Sequence, residues 1–367
     1  MGLTSKKVLL LAILFAVALF ILTIWLWRRL SKRNWRAVLG RAGLLLATQL
    51  SIFALVALLA NNSYLFYGSW AELFGAKQET VNSGPDGPKL KVLGTEHVGL
   101  PGGSAPSVAG RVEKVLLKGE KSKINGSAYV YLPPQYFQPE YAKKRFPTSV
   151  VLTGHPGNAK ALYQGLRYPQ TQHDLARKGK MQPTIMVMMS PTVVLPWDTE
   201  CVDVPKGPQA ETFFTHDVRQ DMASHYRVGT DAKSWGVIGD STGGYCALKI
   251  PMRHPKAFST GVSLSGSYNA SEGTSPTGDL FGGNKQLERE NDLLWRQKNL
   301  PAPPVNLLVT SSKKGEENYK DTLKFIQQTK SPGRIASIIL DSGSHHFDTW
   351  RREIPAALEW MSGHLKA

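Results

Sequence analysis

The sequence is poor in cysteine, with two in 367 residues, and its first 60 residues hold no Asp or Glu. Two thiols are too few for a disulfide-dense scaffold or a zinc ribbon. Cys201 and Cys246 can form one disulfide or remain a pair of inert buried thiols. No phosphate-binding glycine loop and no Cys/His ligand set is present, so neither a nucleotide nor a metal cofactor is expected. The missing acids matter for the net charge of +16. Eight unopposed Lys/Arg in residues 1–60 supply half of it, and the remaining 36 basic residues face all 28 acids. Half of the excess thus sits in a sixth of the chain, and that sixth is apolar. A nucleic-acid-binding arm is excluded by that distribution. With 42% hydrophobic and 20% charged residues, the rest is neither disordered nor fibrous, and its length suits one large domain.

Val8–Trp27 is a run of 20 residues whose only polar member is Thr23. Ala42–Ala60 is a second run, with Thr48, Gln49 and Ser51 as its polar members. Each is long enough for a helix that crosses a bilayer. The intervening Arg28–Arg41 carries six basic residues and no acid, which predicts a cytoplasmic loop with both flanks outside. Trp25, Trp27, Tyr64, Tyr67 and Trp70 suit the membrane interface. A cleaved signal peptide fits less well, because the apolar run is long and large residues follow it. Residues 1–70 therefore read as an anchor with spans at 8–27 and 42–60. The loop's basic charge could also attract anionic headgroups, but orientation alone accounts for it.

Residues 71–110 are rich in Gly, Ser and Pro and read as a linker or irregular strand region. From 111 to 367, short apolar runs alternate with helical patterns. Strands are predicted at 111–117, 127–132, 148–153, 184–189, 234–239, 258–264, 305–311 and 335–341. Helices are predicted at 159–178, 210–227, 242–253, 317–329 and 350–362. This alternation predicts an α/β fold: a mostly parallel eight-stranded sheet with helices on both faces and an antiparallel start. Residues 266–304 break the pattern and read as an insertion over the site, with one helical piece at Gln286–Gln297.

Gly239-Asp240-Ser241-Thr242-Gly243 reads G-x-S-x-G between an apolar strand and a helix. In that context the turn holds a serine in a strained conformation above the sheet, and the Thr242 N–H can face a developing oxyanion. A helix-capping serine in a tight turn is the plainer alternative. A serine hydroxyl needs a base. His345, in the loop after the last strand, is the candidate and His346 the runner-up. The other histidines, apart from His155, fall on helices or linkers, where packing or solvation explains them. A carboxylate after the seventh strand would fix the imidazole. Glu316 is preferred over Glu317 and Asp321, although acids in a helix's first turn are also natural. The turn Thr153-Gly154-His155-Pro156-Gly157 would supply a second oxyanion N–H from Gly154 or, preferably, His155.

The succession GHPG, DTECVD…ETFF, GDSTGGYCA, GDLFGG…ENDLLW and GSHHFDTW, over roughly residues 110–365, resembles the α/β-hydrolase esterases related to esterase D and the secreted mycolyltransferases. Glu211-Thr212-Phe213 and Asn291-Asp292 match the mycolyltransferase side. The resemblance implies an α/β-hydrolase fold, an acyl-serine intermediate on Ser241, His345 as base, and ester or acyl-sugar substrates. In that family the acid lies on the helix after the seventh strand, and the best-matching stretch here is Asp321–Phe325. Mycolyltransferases lack a two-helix anchor, so mycolyl specificity does not follow. The expectation is a membrane-anchored, extracytoplasmic serine esterase without a cofactor. It would act on esters or acyl lipids and have no nucleic-acid partner. An acyltransferase to a sugar hydroxyl and a catalytically silent envelope-binding protein are the alternatives.

Overall fold

The computed structural model describes residues 2–31, 34–64, 66–68, 70–74, 89–96, 105–194, 198–270 and 279–367. Lys32, Arg33, His97, much of the expected linker and residues 271–278 of the insertion lie outside them. Two units divide the chain, Met1–Glu79 and Thr80–Ala367.

The first unit is built on helices α1 (Lys6–Trp27) and α2 (Trp35–Tyr64). Both are long and apolar enough to cross a membrane. Small and hydroxyl side chains face inward, with Ala16, Thr23, Ala37, Thr48 and Ser51 buried, while Leu, Ile and Phe point outward. That inversion of a water-soluble helix pair suits packing in lipid, where close backbone approach and interhelical hydrogen bonds hold helices together. The Thr23 and Thr48 hydroxyls lie 2.9 Å apart between the helices. The second helix begins at Trp35, seven residues before the predicted span, so part of the basic connection is helical.

Among the described residues, the second unit carries a sheet of nine strands, one more than predicted. They are β1 (Leu90–Glu96), β2 (Arg111–Lys118), β3 (Asn125–Leu132), β4 (Thr148–Leu152), β5 (Ile185–Met189), β6 (Trp235–Asp240), β7 (Thr260–Leu264), β8 (Asn306–Ser312) and β9 (Arg334–Leu340). Their order is β1-β2-β3-β5-β4-β6-β7-β8-β9. Antiparallel pairing joins β1, β2, β3 and β5, and β4 to β9 run parallel. The extra strand, β1, lies within the expected linker. It is an edge strand with a bulge between Val92 and Gly94 and a largely exposed face, so it lacks a continuous apolar run. The central strands β4 to β7 are buried along their whole length, as a doubly covered sheet requires.

The helices used below are α3 (Tyr168–Arg177), α4 (Val218–His225), α5 (Thr242–Arg253), α6 (Lys285–Asn291), α7 (Leu293–Asn299), α8 (Tyr319–Gln328) and α9 (Phe347–His364). The predicted helix 159–178 is broken between Lys160–Gln164 and α3, where Arg167 takes a φ of 59° and Pro169 starts the new helix. The stretch 210–227 is interrupted by a wide turn at Phe213–Asp217 before α4. The insertion's single predicted piece is two helices, because Asp292 ends α6 and its side chain caps Trp295 N–H of α7.

Candidate active site

Chain direction decides where chemistry can gather. β4, β6, β8 and β9 are parallel, so the loops that follow them emerge at one edge of the sheet. The turn 153–157, Ser241, Glu316 and His345 all sit on those loops.

Ser241 joins β6 to α5 with φ 53° and ψ −120°, a conformation L-residues rarely adopt. The sharpness of the turn explains its glycines. A β-carbon on Gly239 would lie 2.4 Å from the Gly243 carbonyl oxygen, and one on Gly243 would lie 2.3 Å from that of Leu152. The Ser241 N–H donates to Leu264 O at 3.0 Å, tying the elbow to β7. The serine side chain caps no helix N–H, so the simple capping alternative does not describe it. The N–H groups of Thr242 and His155 meet no acceptor among the described residues.

Glu316 and His345 are brought together by the loops after the adjacent strands β8 and β9. Lys313 N–H donates to Leu340 O, and Gly343 N–H to Lys314 O. Gly315, at φ 94°, allows the first loop to turn back beside Gly343. The result is a contact of 3.1 Å between His345 Nδ1 and Glu316 Oε2. The Glu316 side chain is 2% exposed and the His345 ring 47%. Trp350 meets the imidazole edge-to-face at 5.0 Å. Burial opposes the imidazolium. The hydrogen bond and charge of Glu316, with Asp240 and Glu317 adding, outweigh it and raise the His345 pKa above its ordinary value.

The alternatives settle elsewhere. His346 Nδ1 accepts the Asp348 N–H and caps α9. Asp321 pairs with Lys324 at 2.8 Å on the exposed side of α8. Gly154 offers no free N–H, because it donates to Asp240 Oδ2 at 2.9 Å. Of the two donors considered in that turn, His155 is the open one. Its ring is held by Thr192 Oγ1 at 2.8 Å and by buried Asp198 Oδ2 at 3.5 Å.

Asp240, Glu353 and Lys249 matter although the sequence did not mark them. Asp240 is buried, and burial pushes its carboxyl up to about 7 against the pull of the Gly154 N–H and His345. Glu353 of α9 accepts a hydrogen bond from Thr310 at 2.7 Å, and burial likewise pushes it up to about 7. Cys201 and Cys246 form a disulfide that ties the 198–204 loop to α5. One turn along α5, buried Lys249 donates to the carbonyls of Glu200 and Cys201 and pairs with Glu211. Glu211 also meets Arg253 and His254 at 2.6 Å each. The residues that the sequence resemblance matched to the mycolyltransferase side are thus built into the scaffold: Glu211 anchors an ion-pair network, Asn291 O accepts from Tyr245, and Asp292 caps a helix.

Residues 122–361 match the model of the family described as "Putative esterase", and the chain belongs to that family. A relative in Corynebacterium glutamicum, an uncharacterised protein, is 24% identical over 254 residues, covering 64% of this chain and 56% of that one. Among solved structures, a ferulic acid esterase is similar with a TM-score of 0.59 and 17% identity, covering 70% of this chain and all of that one. An S-formylglutathione hydrolase from Agrobacterium tumefaciens follows at 0.58 and 14%, covering 75% of this chain and 100% of its own. The fluorophosphonate-binding serine hydrolase F of Staphylococcus aureus gives 0.54 and 16%, covering 69% and 98%. These likenesses establish the α/β-hydrolase fold.

Proposed function

We propose that the protein is a serine esterase anchored in a membrane by α1 and α2, with its catalytic unit on the outer side. One observation carries the chemistry: a serine at φ 53° shares a sheet edge with an imidazole whose Nδ1 is held by a buried carboxylate. Ser241 Oγ attacks the ester carbonyl carbon while His345 Nε2 takes its proton. The oxyanion gathers on the Thr242 and His155 N–H groups. As the C–O bond breaks, His345 returns the proton to the leaving alcohol. Water then attacks the acyl-serine by the same route. Glu316 keeps the proton on Nδ1 and offsets the positive ring.

Outward placement rests on the basic connection between the spans. It favours envelope lipids or other extracytoplasmic esters as substrates. Acyl transfer to a sugar finds less support, since Glu211, Asn291 and Asp292 serve the scaffold.

The test is labelling of the full-length protein by a fluorophosphonate probe, with Ser241→Ala as control. Labelling lost in the variant and turnover of nitrophenyl esters support the reading. A folded wild type that neither labels nor turns over would favour a silent binding protein. A polyol that diverts acyl product from free acid to new ester would favour the transferase. Protease accessibility of the catalytic unit in intact cells tests its side.

A further inference from the structure

Gly154 and Asp240 are linked across 86 residues of sequence by the N–H···Oδ2 bond of 2.9 Å. The donor belongs to the turn after β4, and the acceptor is the residue immediately before Ser241. The two segments touch without slack. A β-carbon on Gly154 would sit 2.9 Å from Ser241 Cβ and 3.3 Å from Asp240 Oδ2. Asp240 is 1% exposed, and its second oxygen, Oδ1, has no hydrogen-bond partner among the described residues. A buried carboxyl with one oxygen unsatisfied is costly. Filling space alone would be better served by an apolar side chain, as at Leu264, the residue registered beside Asp240 on β7.

The bond has a geometric consequence. The Gly154 N–H is fixed from the elbow side, and the His155 ring is fixed by Thr192 and Asp198 on the other. Between these two anchors lies the Gly154–His155 peptide unit, whose N–H meets no acceptor among the described residues.

On the reading of Ser241 as the nucleophile, we propose that Asp240 is a positioning residue for the reaction. Its carboxyl holds the 153–157 turn against the nucleophile elbow through the Gly154 N–H, so that the His155 N–H faces the acyl oxygen carried on Ser241. Asp240 does not touch substrate. It sets the distance between the serine and one of its two oxyanion donors.

The experiment uses the full-length protein in detergent with the variants Asp240→Asn and Asp240→Leu. Asparagine keeps an oxygen acceptor, whereas leucine keeps the branched four-atom shape, at a larger volume, and loses the acceptor. Amide hydrogen exchange is read at Gly154 together with kcat and KM for nitrophenyl butyrate. Gly154 should be protected in the wild type and in Asp240→Asn, and should exchange about 100-fold faster in Asp240→Leu. Turnover should stay within about 5-fold for asparagine. For leucine kcat should fall about 10- to 100-fold with KM nearly unchanged, as for a displaced oxyanion donor. A wild-type Gly154 amide that exchanges like an open turn overturns the proposal. So does equal loss in both variants, or a leucine variant with undiminished kcat, since packing alone would explain either. If the leucine variant does not fold, wild-type exchange and Asp240→Asn decide. A wild type without turnover or probe labelling would refute the esterase reading, while the exchange comparison would still test the latch.

Discussion

His345 Nδ1 and Glu316 Oε2 meet at 3.1 Å although 29 residues separate them. The contact depends on two neighbouring loops, since neither residue lies on a helix. In the proposed mechanism the neutral imidazole is the base, so the rate rises with pH through the His345 pKa. Glu316 raises that pKa against the effect of burial. In Glu316→Gln the inflection of kcat/KM should therefore move to lower pH, and the plateau kcat should fall by about 10²- to 10⁴-fold. Glu317→Gln and Asp321→Asn should leave the plateau within a few-fold. A pH–rate series on the four proteins checks this, and a larger loss in Asp321→Asn than in Glu316→Gln would reassign the acid.

The disulfide closes a span of 45 residues between the 198–204 loop and α5. Glu200 and Cys201 both adopt left-handed φ angles, 47° and 55°. Such a turn persists only where its surroundings fix it, and here the disulfide and Lys249 do so. The double variant Cys201→Ala/Cys246→Ala should lose about 2–4 kcal/mol against denaturant. An unchanged unfolding midpoint under non-reducing conditions would show that Lys249 alone suffices.

The parallel strands were legible because a strand covered on both faces becomes a largely apolar run, as in IMVMM. β1 was not, because an edge strand needs only one apolar face and its pairing with β2 is a long-range fact. The serine elbow was legible from local chemistry, since two glycines bracket one strained residue. Which of Glu316, Glu317 and Asp321 would meet the imidazole was not. It turns on Gly315 at φ 94° and on a backbone bond between two loops, and no spacing rule encodes either. Asp240 occupied a position any residue can fill in the motif. Its meaning came from an N–H 86 residues away.

Gly243 offers a sharper test of the elbow than the serine itself. A methyl group there would meet backbone, 2.3 Å from the Leu152 carbonyl oxygen and 2.7 Å from that of Thr153. Backbone at the end of a central strand cannot yield as a side chain could. Gly243→Ala should cost several kcal/mol or prevent folding. Gly363→Ala, on the open side of α9 with nothing within 4 Å, should be neutral or slightly stabilising. Yields and thermal midpoints of the two variants provide the comparison.

Glu353 lies in the sheet-facing side of α9, accepts from Thr310 with one oxygen and leaves the other unpartnered. Burial pushes its carboxyl up to about 7, the Thr310 bond opposing and the Glu316 charge adding. Because the folded value is raised above the unfolded one, the native state holds more protons between about pH 4.5 and 7. The stability this proton provides is complete below the unfolded value and is lost as pH rises through the folded one. Asp240 and His345, also raised, act in the same direction near neutrality. The wild type should therefore be less stable at pH 8 than at pH 5. Glu353→Gln, uncharged throughout, should flatten that decline and gain on the order of 1–3 kcal/mol at pH 8. It should keep turnover within a few-fold, because a neutral group beside Glu316 leaves the His345 contact intact. Denaturant melts of both proteins at the two pH values decide it, and identical pH slopes would mean that Glu353 is not the group being titrated.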